Sequence, residues 1–408
     1  MENNINSSRS ARVLLLWLCL VLFGASPRAQ SLFGTNDFVE YIPGSLPIIL
    51  VAPHGGDMRP SEIPNRSCAG CVTSNDLNTQ ELGRAAQAAI ERVFGCKPHL
   101  IINRLHRSKM DANRAIGEAA NGDPLAEQAW GEFHGFIAQA KKQVDSLYGQ
   151  GLLIDLHGHG HSIQRLEIGY LLSKSDLQLS NAAMDTDPEL KAAFSMRALL
   201  ETSDTLRLSH LIRGPNSLGS LFDQKGFPSV PSPYFPFPET NEPYFSGGYN
   251  TLVYGSSGSG NIDAVQIECN LNGVRDTEFN RQDFASALAT ILQRYFELFY
   301  PALPGTAGFC GDTNVNTTTA NQTAPTARIF PNPGGQEFEL TPLRPDFRNW
   351  TSLQVFDASG RKVAHQVLSE AGSLPLRVKL PHATPGMYFV RVTDKRESMV
   401  LPYIIQPQ

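Results

Sequence analysis

Leu152-Leu153-Ile154-Asp155-Leu156-His157, followed by Gly158-His159-Gly160-His161, is an apolar run that ends in three histidines at alternate positions. A run of that length, apolar and β-prone, predicts a buried strand, here over residues 151–156. A strand that ends on a histidine delivers that side chain to the carboxyl edge of a sheet, where open α/β sheets place their ligands. Three further runs read the same way: Ile48–Ala52, 100–103 and 264–269. Between them lie helical patterns. Residues 81–94 have helical apolar spacing and stop at Gly95, 283–299 repeat the pattern, and Asp123-Pro124 opens a long amphipathic stretch closed by Gly149. Strands alternating with helices predict an α/β fold with a parallel or mixed sheet.

A second strand ends the same way, in Pro53-His54-Gly55-Gly56-Asp57. Two glycines let the backbone turn tightly, so His54 and Asp57 are expected to aim at one point. Imidazole nitrogen and carboxylate oxygen both suit zinc. The competing reading is a plain turn with a solvent-facing His and Asp. His157, closest to the sheet edge, is the expected third ligand, with His159 or His161 left to meet substrate or stabilise charge; the spacing does not choose among the three. Asp155 shares a strand face with His157 and is a candidate to orient another polar group of the site. Two His and one Asp leave a coordination position open, the pattern of catalytic zinc, one ion per chain.

Glu268, in Val265-Gln266-Ile267-Glu268-Cys269-Asn270, sits late in an apolar strand where an unpaired carboxylate is costly. It is the expected general base; a salt bridge to an arginine is the bland alternative. His106-Arg107-Ser108-Lys109-Met110-Asp111-Ala112-Asn113-Arg114 is too polar for a core strand. Arg107, Asn113 and Arg114 there, with His159, are the candidate substrate-binding groups, because an arginine can clamp a carboxylate through two parallel hydrogen bonds. Alone, the segment reads as a solvated loop.

Residues 214–260 are dense in Gly, Pro, Ser, Phe and Tyr and lose periodicity, predicting a long loop or lid that carries Tyr234, Tyr244 and Tyr249. Residues 305–327, rich in Thr and Asn, read as a linker. Beyond it, short strands at 338–340, 353–356, 376–380, 387–392 and 399–405, with a turn at Asp357-Ala-Ser-Gly360, predict a small β-sandwich.

Two resemblances follow from these residues. Pro53-His54-Gly55, Asp76 with Thr79, Arg107 leading to Asp111-Ala112-Asn113-Arg114, Asp155-Leu156-His157 and Ile267-Glu268 occur in an order and spacing that resembles the N-formylglutamate amidohydrolase family. The resemblance covers about residues 45 to 300. It implies a phosphorylase/hydrolase-like mixed sheet, one zinc held by His54, Asp57 and His157, Glu268 as base, Asn113 and Arg114 on a substrate carboxylate, and hydrolysis of an amide beside that carboxylate. Zinc carboxypeptidases of the same broad fold carry a Glu where Asp57 stands. The tail, through Phe330-Pro331-Asn332-Pro333, Val355-Phe356-Asp357 with Gly360-Arg361, and Gly386-Met387-Tyr388-Phe389-Val390, is similar to the type A sorting domain of the type IX secretion system. That implies the secretion machinery as partner and a secreted or surface-held product. A carbohydrate-binding or adhesion sandwich is the other reading of such a tail.

The chain of 408 residues has room for a large core and a second unit. Its net charge of −5 offers no general attraction to nucleic acid or anionic membrane. Arg9 and Arg12 before the apolar run 13–25 read as a signal peptide ending near Ala29. No other segment is long and apolar enough to span a membrane. The expected organisation is therefore 1–29 signal, 30–304 zinc amidohydrolase domain, 305–327 linker and 328–408 sorting sandwich. Export permits disulfides. Cys68 and Cys71 are expected to be structural, one of them pairing with Cys96, and the odd number of cysteines beyond the signal leaves at least one thiol over. Three functions compete: an amidohydrolase acting on N-acyl amino acids or short peptides, a metallocarboxypeptidase on peptides or cell-wall peptides, and a surface binding protein without catalysis.

Overall fold

The computed structural model describes residues 31–300 and, further on, 327–330, 335–342, 350–357, 362–368, 375–393 and 398–405. The expected signal peptide, the linker apart from Ala327, and most of the turn at 357–360 lie outside them.

Eight strands form one mixed sheet. They are β1 (Leu32–Phe33), β2 (Val39–Ile42), β3 (Ile48–Ala52), β4 (His99–Asn103), β5 (Gly151–Gly158), β6 (Leu166–Gly169), β7 (Ser229–Val230) and β8 (Ile262–Cys269), in the order β1-β2-β4-β3-β5-β8-β6-β7. The four central strands β4, β3, β5 and β8 run parallel, while β2 and β6 flank them antiparallel. The four expected strands are these central ones, each found within two residues of its reading. The expected α/β class holds.

Alternation along these strands feeds two cores, one on each face. Ile48, Leu50 and Ala52 of β3, with Leu152, Ile154 and Leu156 of β5, face the helices Thr79–Phe94 and Glu278–Phe299. Ile49, Val51 and Leu153 face the helix Pro124–Tyr148. That helix starts as its sequence demands: Asp123 caps the amides of Leu125 and Ala126, Pro124 takes the first turn, and Gly149 ends it at positive φ. Towards the carboxyl ends, the face that carries Leu153 turns polar. Asp155, His157, Gln266, Glu268 and Glu167 share it, and His157, Glu268 and Glu167 stand in register on β5, β8 and β6. The site is built on this polar step.

The expected loop at 214–260 is partly structured, with helices Leu218–Gln224 and Tyr249–Tyr254 and strand β7. Cys68 and Cys71 join one another rather than Cys96, and Cys269 is free and buried.

The C-terminal strands are β9 (Ala327–Phe330), β10 (Glu337–Pro342), β11 (Ser352–Asp357), β12 (Lys362–Val367), β13 (Leu376–Lys379), β14 (Gly386–Thr393) and β15 (Ser398–Ile405). They form two antiparallel sheets, β13-β10-β9 and β12-β11-β14-β15. Phe338 and Leu340 of one sheet and Val355, Val390 and Tyr403 of the other share one core, so the unit is a small sandwich, as expected.

Candidate metal centre and pocket

His54 follows β3, and its main chain is squeezed on both sides. A β-carbon on Gly55 would strike Thr79 and Gln80 at the start of the helix Thr79–Phe94, and one on Gly56 would strike the main chain of Arg104 and Leu105. The two glycines therefore serve close packing. They do not turn Asp57 towards His54. Residues 56–58 run beside 104–106, with Met58 N–H donating to Arg104 O and His106 N–H to Met58 O. This pairing carries Asp57 past the site, where it is exposed. Asp57 is thus not placed with His54 and His157, a correction to the expected ligand set.

The carboxylate between the two histidines is Asp76. Its Oδ2 lies 3.1 Å from His54 Nδ1 and 3.2 Å from His157 Nδ1, and it accepts from Gly158 N–H at 3.2 Å. Its place is fixed by main chain: Asp76 N–H donates to His54 O, and the Thr79 hydroxyl donates to Asp76 O at 2.9 Å. Donors about 2.0–2.1 Å from a zinc at tetrahedral angles stand about 3.3–3.4 Å apart, so these separations fit that ion. His54, Asp76 and His157 are all buried. Each imidazole has its far nitrogen on another carboxylate. Asp111 Oδ1 accepts from His54 Nε2 at 2.6 Å, and Asp155 Oδ2 accepts from His157 Nε2 at 2.9 Å. Such partners fix the tautomer and leave the Nδ1 lone pairs aimed at the common point.

The electrostatics agree. Burial works against the charged form of Asp76, yet the facing His54 and His157 hold its carboxyl well below the usual carboxylate range. Burial likewise opposes charge on His157, but Asp155, Asp76 and Glu268 together raise its proton affinity well above the ordinary value. Asp111 is lowered against burial by His54 and Arg107. The cluster favours positive charge at its centre, the property a cation site requires.

Glu268 is beside this centre. Its Oε1 is 4.0 Å from His157 Nδ1 and accepts from Gln266 Nε2 at 3.0 Å. Burial pushes its carboxyl up to about 8, with Asp76 and Glu167 adding to the rise and His157 opposing it.

The expected substrate clamp is otherwise engaged. Arg107 donates from Nε to Asp111 at 2.9 Å and from Nη1 to Asp76 at 3.3 Å, so it neutralises the carboxylates behind the histidines. Arg114 bonds Glu118 and the Asn113 carbonyl. Asn113 lies 3.3 Å from His157 Nε2 and accepts from Asn250 N–H. In His159, Nε2 donates to Arg165 O and Nδ1 accepts from His161 N–H. All four line the same cavity of about 400 Å³ as His54, His157 and Glu268, but Arg107, Asn113 and His159 are buried and paired. Leu77, Phe245 and Arg275 complete much of the wall. Arg275 was not singled out from sequence; its guanidinium donates to the carbonyls of Cys269, Leu77 and His159 and ties three site segments together.

Comparison with known proteins bears on the two parts unequally. Residues 328–406 match the secretion system C-terminal sorting domain family. This meets the expectation for the tail and supports export to the exterior or the cell surface. No curated protein matches the chain. Among solved structures, N-formylglutamate amidohydrolase from Ralstonia eutropha JMP134 is similar at 13% identity and a TM-score of 0.39, over 63% of this chain and 95% of that one. The adhesin domain of Epf from Streptococcus pyogenes is similar at 13% identity and a TM-score of 0.16, over 20% of this chain and 33% of that one. Among the described residues, no helix is long and apolar enough to cross a membrane.

Proposed function

We propose that the protein is an exported, zinc-dependent hydrolase of amide bonds beside a free carboxylate, acting on N-acyl amino acids or short peptides. The observation that carries this reading is the convergence of His54 and His157 on Asp76 Oδ2, with donor atoms of all three within 4.8 Å of one another, next to the buried carboxyl of Glu268. His54, Asp76 and His157 would hold the ion. When bound, zinc would supply Lewis acidity that polarises the substrate carbonyl and makes water a better nucleophile.

The chain's own groups do the rest. Glu268 takes a proton from water and hands it to the leaving nitrogen. Its carboxylate, beside the point where the histidines converge, is placed for both halves of that transfer. Gln266 fixes the Glu268 carboxylate by donating to it. Asp111 and Asp155 hold the two imidazoles. The cavity is large enough for an amino-acid derivative or short peptide and is lined on one side by Phe245 and Leu77. A metallocarboxypeptidase uses the same groups, and the substrate panel separates it from the first reading.

The proposed organisation is a catalytic unit at 30–304 and an export unit at 328–408 joined by 305–327, with passage through the type IX machinery. The test is metal content and turnover of N-formyl, N-acetyl and peptide substrates by the parent and Glu268→Gln. The expected result is about one zinc per chain in both and turnover in the parent alone. A folded parent that takes up no zinc would refute the metal centre, and a Glu268→Gln variant with parental turnover would refute the base. Zinc without turnover on any amide would favour the surface binding protein.

A further inference from the structure

A second polar cluster opens on the same cavity. His161, half-buried, lines the wall with its ring stacked on Phe245, centroids 4.8 Å apart and planes 17° from parallel. Its Nδ1 bonds Glu167 Oε1 at 2.7 Å. Glu167 is fully buried, and its other oxygen accepts from Phe245 N–H at 2.8 Å. A buried carboxylate needs a cationic or donating partner, and the imidazole is that partner. With Nδ1 thus occupied, Nε2 is the ring nitrogen left without a partner among the described residues. When His161 is protonated, Nε2–H is a donor with no acceptor among the described residues.

We propose that His161, positioned by Glu167, binds a carboxylate of the substrate. This rests on the hydrolytic reading above and adds a group to its carboxylate clamp. Arg107 is paired to Asp76 and Asp111, Arg114 to Glu118, and Arg275 to three carbonyls, while His159 has both ring nitrogens engaged. Arg107 and Arg114 each keep one guanidinium nitrogen outside these pairs, and His161 adds a ring nitrogen, Nε2, that has no partner among the described residues. Its location fits the task. Glu167 lies in register with Glu268 on the neighbouring strand, so the dyad stands beyond the base as seen from the metal centre, where the rest of an amide substrate must extend. Phe245 covers one face of the ring and fixes its plane.

His159, His161 and Glu167 have donor atoms close enough to suggest a second metal site instead. The existing bonds speak against it. An ion would have to separate His161 from Glu167 and His159 from either Arg165 O or His161 N–H, and each is already satisfied.

The experiment compares matched N-acyl amino acids bearing a free carboxylate or a carboxamide, using the zinc-loaded full chain. The parent is expected to favour the carboxylate by about 10- to 100-fold in kcat/KM, as a charge-assisted hydrogen bond provides. His161→Gln is expected to lose that preference through KM while turning over the carboxamide like the parent. Glu167→Gln should lose much of it with His161 intact, and should add little in the His161→Gln background, as a positioning residue does. Unchanged discrimination in His161→Gln overturns the assignment. So does a zinc content that falls from two to one on that substitution, which would mark a second metal site. If the parent cleaves neither substrate, the hydrolytic reading fails by itself; calorimetric binding of the free amino acid to the parent and to His161→Gln then still decides the role of His161, with equal affinity overturning it.

Discussion

Replacing Asp155 with Asn tests how the metal centre is held. Asp155 is fully buried; Oδ2 accepts from His157 Nε2 at 2.9 Å, and Oδ1 accepts from Asn250 Nδ2 at 3.3 Å. An amide offers one oxygen and one NH2 in their place. Whichever way it turns, it sets a donor against either His157 Nε2–H or Asn250 Nδ2–H2. The negative charge that favours a cation at His157 also goes. Loss of such an outer partner weakens metal binding by about 10- to 100-fold, which corresponds to about 1–3 kcal/mol. The assay is zinc competition against a chromogenic chelator near neutral pH, with far-ultraviolet circular dichroism to confirm that the variant folds. Parental zinc affinity in a folded Asp155→Asn chain would refute the reasoning, because His157 would then not depend on Nε2 being held by a carboxylate.

Asp76→Ala is expected to lose zinc altogether, whereas Asp57→Ala should bind it like the parent; the reverse outcome in the same competition assay would restore Asp57 as ligand. His99 gives the fold an acid-sensitive point. It is buried, with Nδ1 accepting from the Tyr41 hydroxyl and Gly44 N–H, and burial lowers it from 6.5 to about 4. Above pH 6.5 neither state holds the proton and the stability is intact. Between 6.5 and 4 the unfolded chain takes up a proton that the folded chain refuses, so stability falls with pH, by about 3 kcal/mol at the lower end. Denaturant titrations across that window should show a shallower fall for His99→Gln, and an unchanged slope would count against this account. Gly56→Ala should lower stability by about 1–3 kcal/mol, since the added methyl meets main chain rather than a side chain that can swing away; a parental unfolding midpoint would show that residues 104–105 can yield.

The parts legible from sequence are those where local pattern and tertiary role coincide. The four central strands are mostly apolar on both faces, so their runs of Leu, Ile and Val and the polar residues near their carboxyl ends both stood out. The helix Pro124–Tyr148 carries Asp123 and Gly149 at its ends in plain view, and Gly95 stops the helix Thr79–Phe94. β6 was not legible, because Leu166–Gly169 is four residues long and holds a charged Glu167. That charge belongs to the site, which is why the strand breaks the apolar pattern. His54, His157 and Glu268, which the structure brings together, stand out in the sequence because each ends or nearly ends such a strand. The carboxylate that the structure sets between the histidines is Asp76 and not the expected Asp57, which is near His54 in sequence, while Asp76 reaches it through a connection that only the packing of the helix Thr79–Phe94 reveals. Asp76 did appear among the ordered motifs, beside Thr79, and that spacing is the trace of the hydroxyl-to-carbonyl bond that fixes it. Arg107 shows a similar limit: sequence shows a cation, but not that a buried Asp111 already holds its Nε.

His157, Glu268 and Glu167 sit side by side on three adjacent strands. Neighbouring strands are about 4.8 Å apart, so Glu167 stands about 10 Å along the edge from His157. The sheet edge is therefore a ruler. Under the proposed function, a molecule held at one mark would be met at the next two, its length gauged in strand widths. Changes in the loops that cover the edge can alter which molecules enter, while the graduation itself is set by backbone hydrogen bonds that no side-chain substitution rewrites.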